Sequence, residues 1–111
     1  MTGIRRAFTE GLTFKEYQDS ASRTAKPSEL QNWGLGLAGE TGEVVELIKK
    51  AQYHGVKLNK DDLSKELGDV LWYISAIATE SGLNLSDIAN SNIEKLKKRY
   101  PHGFQLGGGE R

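Results

Sequence analysis

The chain has 111 residues, 15 basic against 15 acidic, and no cysteine. That length suits one domain with a modest core. Zero formal charge leaves no global footprint for nucleic acid or an anionic membrane, and without cysteine there is neither a disulfide nor a thiolate metal site. No apolar run is long enough to span a bilayer, and no apolar stretch of the secretory kind follows Arg5 and Arg6. The expected location is therefore cytoplasmic, with no membrane partner.

Residues 1–11 show no period and are expected to form a flexible arm. From Thr13 to Arg23, Phe14, Tyr17 and Ala21 recur at helical spacing, with Thr13 placed to cap the N-terminus. Lys26 and Pro27 break this first helix, and Pro27 suits the first turn of the next. The second helix is expected from about Pro27 to about Tyr53. Leu30, Trp33, Leu37, Thr41, Val44, Ile48 and Ala51 form its apolar stripe, and Gly55 lies just past its end. Asn59 is placed to cap a third helix, with Asp61 and Asp62 favouring its positive end. Leu63, Leu67, Val70, Leu71, Ile74, Ile77 and Ala78 make its stripe, and Ser81-Gly82 stops it. Asn84 followed by Asp87 resembles a capping box for a fourth helix, on which Leu85, Ile88, Asn92, Leu96 and Arg99 share a face before Pro101. The glycine-rich tail, from about 105 to 111, is expected to be flexible. No strand-like alternation, repeat or linker competes. The fold expected is all-α, a compact bundle of about four helices occupying the chain as one domain.

Two acidic doublets carry the chemistry. Glu40 and Glu43 lie at i, i+3 on the second helix, and Glu66 and Asp69 at i, i+3 on the third. Residues three apart are neighbours on a helix surface, so each doublet presents two carboxylates side by side. At about 100° per residue both doublets border their apolar stripes, whereas Glu46 points to the opposite side. Four carboxylates meeting across two packed helices would repel unless a cation neutralised them. An all-oxygen ligand set suits Mg2+ or Mn2+. The alternative is a solvated helix face ion-paired through Lys49, Lys50 and Lys65. A di-iron bundle is disfavoured, because neither His54 nor His102 stands at the position that its Glu-x-x-His motif needs.

The remaining candidates admit two readings each. Gly34, Gly36, Gly39 and Gly42 on the second helix allow close approach either of another helix or of a phosphate. Asn92, placed in an apolar stripe, needs a partner that is either substrate or a neighbouring helix. Lys95, at i+3 from it, can reach a phosphate or simply face water. Tyr73 can touch substrate through its hydroxyl or pack at a rim. Trp33 can stack on a base or fill the core. Trp72 points away from its helix's stripe, which suggests a subunit interface. The basic run Lys95, Lys97, Lys98 and Arg99 suits the end of a helix dipole. A nucleic-acid role for that run finds no support in the overall charge.

The segment Gly36-Leu-Ala-Gly-Glu-Thr-Gly-Glu-Val-Val-Glu46, followed by Lys65-Glu-Leu-Gly-Asp-Val-Leu-Trp-Tyr73, resembles the MazG-like all-α nucleotide pyrophosphohydrolases. So does Asn92-Ile-Glu-Lys-Leu-Lys-Lys-Arg-Tyr-Pro101, in the manner of the single-domain branch. Gly39 departs from the pattern, standing where its first glutamate lies. The resemblance implies magnesium-dependent hydrolysis of nucleoside triphosphates to monophosphate and pyrophosphate. It carries the catalytic and metal-ligand roles to Glu40, Glu43, Glu66 and Asp69, and substrate contacts to Asn92, Lys95 and Tyr73. It also implies a homodimer or homotetramer with sites lined by more than one subunit. Removal of abnormal nucleotides and control of nucleotide pools are both compatible with it. The competing function is a non-catalytic helical module that binds a nucleotide or a partner.

Overall fold

The computed structural model describes residues 11–104 as four α-helices: α1 (Phe14–Ser22), α2 (Leu30–Tyr53), α3 (Lys60–Glu80) and α4 (Leu85–Arg99). The expected flexible arm and tail lie outside the described residues, save Gly11. Among the described residues there is no strand, only an isolated bridge between Pro101 and Gly103. No helix is long and apolar enough to cross a membrane.

Local chemistry sets most boundaries. Thr13 Oγ1 accepts from the Glu16 amide at 3.1 Å while the Thr13 amide donates to Glu16 Oε1 at 2.7 Å, a reciprocal capping box at the start of α1. Asn59 Oδ1 accepts from the amides of Asp61 and Asp62, satisfying two orphan donors of α3. Gly55 and Gly82 take φ of 66° and 71° just past α2 and α3, a left-handed backbone that favours glycine.

Two expected starts are corrected. Pro27 is not in the first turn of α2: the helix begins at Leu30 with Glu29 as N-cap. Short i→i−3 bonds from Arg23, Thr24 and Ala25 prolong the end of α1, so Pro27 falls in the connection. Nor do Asn84 and Asp87 form a capping box. The Asn84 side chain turns to Asp87 Oδ2 at 3.3 Å, and Gln18 Oε1 on α1 accepts from the Leu85 amide at 2.8 Å instead. The Gln18 amide also donates to Thr79 Oγ1 and the Leu83 carbonyl. One buried side chain thus ties α1, the end of α3 and the start of α4 together.

The main packing is α2 against α3, with α1 on a second side of α3 and α4 on α1. The contact between α2 and α3 is rotated from the apolar stripes expected of them. Leu30, Thr41 and Ile48 on α2, and Leu67 and Ile74 on α3, are exposed, whereas Glu40 and Glu66 are half-buried in the contact. Gly36 explains the rotation: the ring of Tyr73 lies over it, in space that any Cβ would occupy. That close approach draws the i, i+4 neighbour Glu40 toward α3. Trp72 is half-buried within the chain. Its ring meets Trp33 edge to face at 5.3 Å, and its Nε1 donates to Thr24 Oγ1 at 2.8 Å.

Candidate active site

The two acidic doublets face each other where α2 crosses α3. Glu40, Glu66 and Asp69 each offer a carboxylate oxygen, and these oxygens all lie within 4.8 Å of one another. Glu43 stands outside that group, exposed one turn from Glu40, yet its charge reaches Glu66. Partial loss of water raises the Glu66 carboxyl above its ordinary pKa. A hydrogen bond shared with Glu40 and the charges of Glu40, Asp69 and Glu43 raise it further. Carboxylates crowded together raise one another in this way. Among the described residues, the ion pairs are Lys15–Asp19, Lys50–Glu46 and Lys97–Glu94. None engages the doublets. The ion-paired face expected as an alternative is formed instead by Glu46 and Lys50, away from the cluster, at 4.0 Å.

Helix geometry accounts for the convergence. Glu66, Val70, Tyr73 and Ile77 share the face of α3 that meets α2, and Asp69 lies about 60° round from Glu66, toward the side that α1 covers. Tyr17 of α1 comes near enough for the charge of Asp69, after burial, to push its phenol above its ordinary pKa. Tyr17 was not among the sequence candidates. Its spacing marks it only as part of an apolar helix face, and its relation to Asp69 crosses segments that no local pattern connects.

The other candidates are placed less centrally. Tyr73 lies against Gly36 and packs its ring on Trp33 at 6.1 Å and Trp72 at 5.0 Å. Trp33 is half-buried in that aromatic trio. Asn92 and Lys95 are exposed on α4, whose main packing is on α1. The buried amide expected at Asn92 is therefore corrected: within one chain its face of α4 meets water, because Gln18 and Leu85 anchor α4 through its first turn.

The profile of the MazG nucleotide pyrophosphohydrolase domain matches residues 29–104, which include all four carboxylates. Gene 37 protein of Mycobacterium phage L5 is 39% identical over 80 residues, covering 68% of this chain and 70% of that protein. The uncharacterized protein YvdC of Bacillus subtilis (strain 168) is 40% identical over 43 residues, covering 39% of this chain and 41% of that one. No solved structure matches the chain.

Proposed function

The chain belongs to the MazG nucleotide pyrophosphohydrolase domain family, and from that premise we propose that it is a metal-dependent hydrolase that splits nucleoside triphosphates into monophosphate and pyrophosphate. The observation that carries this reading is the convergence of Glu40, Glu66 and Asp69 within 4.8 Å. Three clustered carboxylate oxygens, none of them in an ion pair among the described residues, make a donor set suited to a hard divalent ion, magnesium or manganese. Glu40, Glu66 and Asp69 would hold it, and Glu43, exposed one turn from Glu40, has the freedom to join them. When bound, such an ion neutralises phosphate charge and acidifies a water molecule.

The chain's own groups then divide the work. Glu40 and Glu66, half-buried and so held in place by the helices, would position the ion and, through it, the phosphates. A carboxylate of the cluster accepts the proton of the water that attacks the α-phosphorus. The bond from that phosphorus to the bridging oxygen breaks, and pyrophosphate leaves with the electron pair.

The assembly proposed is a homodimer, or a tetramer built from it. Val45 and Ile48 of α2 and Leu67 and Ile74 of α3 are exposed. By helical phase they lie on one side of the α2–α3 pair, opposite the carboxylates. Apolar area left in water forfeits roughly 25 cal/mol per Å², and a second copy across a two-fold axis covers it.

A panel of canonical and modified triphosphates with magnesium, its products separated by chromatography, tests the reading. Equal amounts of monophosphate and pyrophosphate are expected. Orthophosphate and a diphosphate, or no metal-dependent product from any member, would count against it and favour a non-catalytic nucleotide-binding module.

A further inference from the structure

Within one copy, α4 is anchored at its start. Leu85 is its one buried residue, and the Leu85 amide donates to Gln18 Oε1 at 2.8 Å. Ser86 and Ala89 are half-buried, and every residue from Asn90 to Lys98 is exposed. That exposed length is not a polar helix. Ile88, Ile93 and Leu96 keep 40%, 50% and 39% of their surface in water. With Ala89 they fall within about 140° of one another round the helix, and Glu94 and Lys98 lie on its other side. An apolar stripe of this width is what a helix turns toward a packing partner. Propensity does not replace that partner. Helices shorter than about 12–15 residues are marginal alone in water, and Asn90, Ser91 and Asn92 at the centre of α4 are weak helix formers.

How little one copy buries decides what the partner is. Among the described residues the buried apolar side chains are Ala76, Ala78 and Leu85, whereas 15 large apolar side chains are exposed. Single exposed apolar residues are ordinary on a monomer. Here the exposed ones outnumber the buried ones and lie on α2, α3 and α4 at once, which is the surface of a subunit taken out of a permanent assembly. A partner needed by every copy, always and in equal number, is another copy of the same chain.

We propose that a second copy of this chain seats on the face of α4 formed by Ile88, Ile93 and Leu96, and that α4 beyond its first turn is helical only in the assembly. The proposal rests on the assembly reading above and adds a contact separate from the α2–α3 face. It does not depend on the hydrolase reading. Gln18 and Leu85 hold the first turn of α4 in every copy, and association folds the rest of the helix onto them. The helix is thus coupled to protein concentration by mass action.

The test follows amide hydrogen exchange of residues 90–98 in the full chain, with sedimentation run on the same samples. Three proteins are compared: wild type, Ile93→Glu with Leu96→Glu, and Ser91→Glu, whose added charge lies on the opposite side of α4. Ile93 and Leu96 are exposed within one copy, so glutamate at either costs a free-standing monomer little. In the assembled wild type these amides should be protected. In the paired variant they should exchange at least about tenfold faster and the assembly should weaken, while Ser91→Glu matches wild type. Dilution of the wild type through dissociation should produce the same loss. The amides round the buried Ser75, Ala76 and Ala78 give the reference, and faster exchange there as well, confined to the paired variant, would show the whole fold leaning on this contact. A paired variant that stays assembled with α4 protected overturns the contact and leaves assembly through α2 and α3 standing. Unprotected α4 in an assembled wild type does the same. A wild-type monomer with α4 protected overturns both the contact and the assembly.

Discussion

The ring of Tyr73 lies in the space that a side chain at Gly36 would need: a methyl there would fall 2.8 Å from Cδ1 and closer still to Cε1 and Cζ. This contact sets the distance between α2 and α3 at the level of the carboxylates, four residues further along α2. Gly36→Ala must push the ring or the helices apart, an overpacking cost of about 1–3 kcal/mol that exceeds the helix-propensity gain of about 1 kcal/mol or less. Gly42→Ala, where a Cβ meets nothing within 4 Å, receives the propensity gain alone. Denaturant melts should show the first variant destabilised and the second stabilised. A Gly36→Ala protein as stable as the Gly42→Ala protein would contradict the role given to this contact.

Gln18 should prove as important to the fold as any apolar residue. Its side chain serves Thr79, Leu83 and the first amide of α4, and it is buried. Gln18→Leu keeps the volume but leaves those groups without a partner, which costs about 1–3 kcal/mol for each one that stays buried and unsatisfied. Amide hydrogen exchange should quicken first in α4. Uniform quickening along the chain would mean that Gln18 is not the anchor of that helix.

Much of this architecture is legible in sequence because capping is local. Thr13 with Glu16, Asn59, Gly55 and Gly82 each act within a few residues, and each boundary stands where its chemistry puts it. The phase of the packing is less legible. Apolar period alone puts Leu30 and Ile48 inside and leaves Glu40 at the edge, because it cannot register that Tyr73 settles on Gly36 and turns α2. Contacts across long separations leave no spacing signal at all. Gln18 reaches Leu85, 67 residues away, and Trp72 reaches Thr24, 48 residues away. The acidic doublets survive a rotated helix because i, i+3 neighbours move together.

The raised pKa of Glu66 has a consequence for stability. A carboxyl whose pKa is higher folded than unfolded binds more protons in the folded state, so stability falls as pH rises from its ordinary value to the raised one. Without metal, the melting temperature should decline as pH rises through that window. Glu66→Gln should flatten the decline, and magnesium should reverse it above the window. A melting temperature that rises across the same window without metal would refute the crowding of carboxylates.

The exposed faces of α2 and α3 bear on assembly. Sedimentation at micromolar concentration should give a dimer or tetramer, and Ile48→Glu with Leu67→Glu should give a monomer, since both residues are half-exposed in one chain. A fully active wild-type monomer would exclude both the assembly and any site shared between subunits.

The central claim is that Glu40, Glu66 and Asp69 form the metal-dependent centre of a pyrophosphohydrolase. It is tested most directly by pyrophosphate release from a triphosphate, with and without magnesium, by the wild-type, Glu66→Gln and Glu46→Gln proteins. The account predicts release that requires the metal and falls about 100-fold in Glu66→Gln, as when a preorganised charge-stabilising group is removed. In Glu46→Gln, whose carboxylate pairs with Lys50 away from the cluster, release should stay close to wild type. Metal-independent release, or equal loss in the two variants, would contradict it.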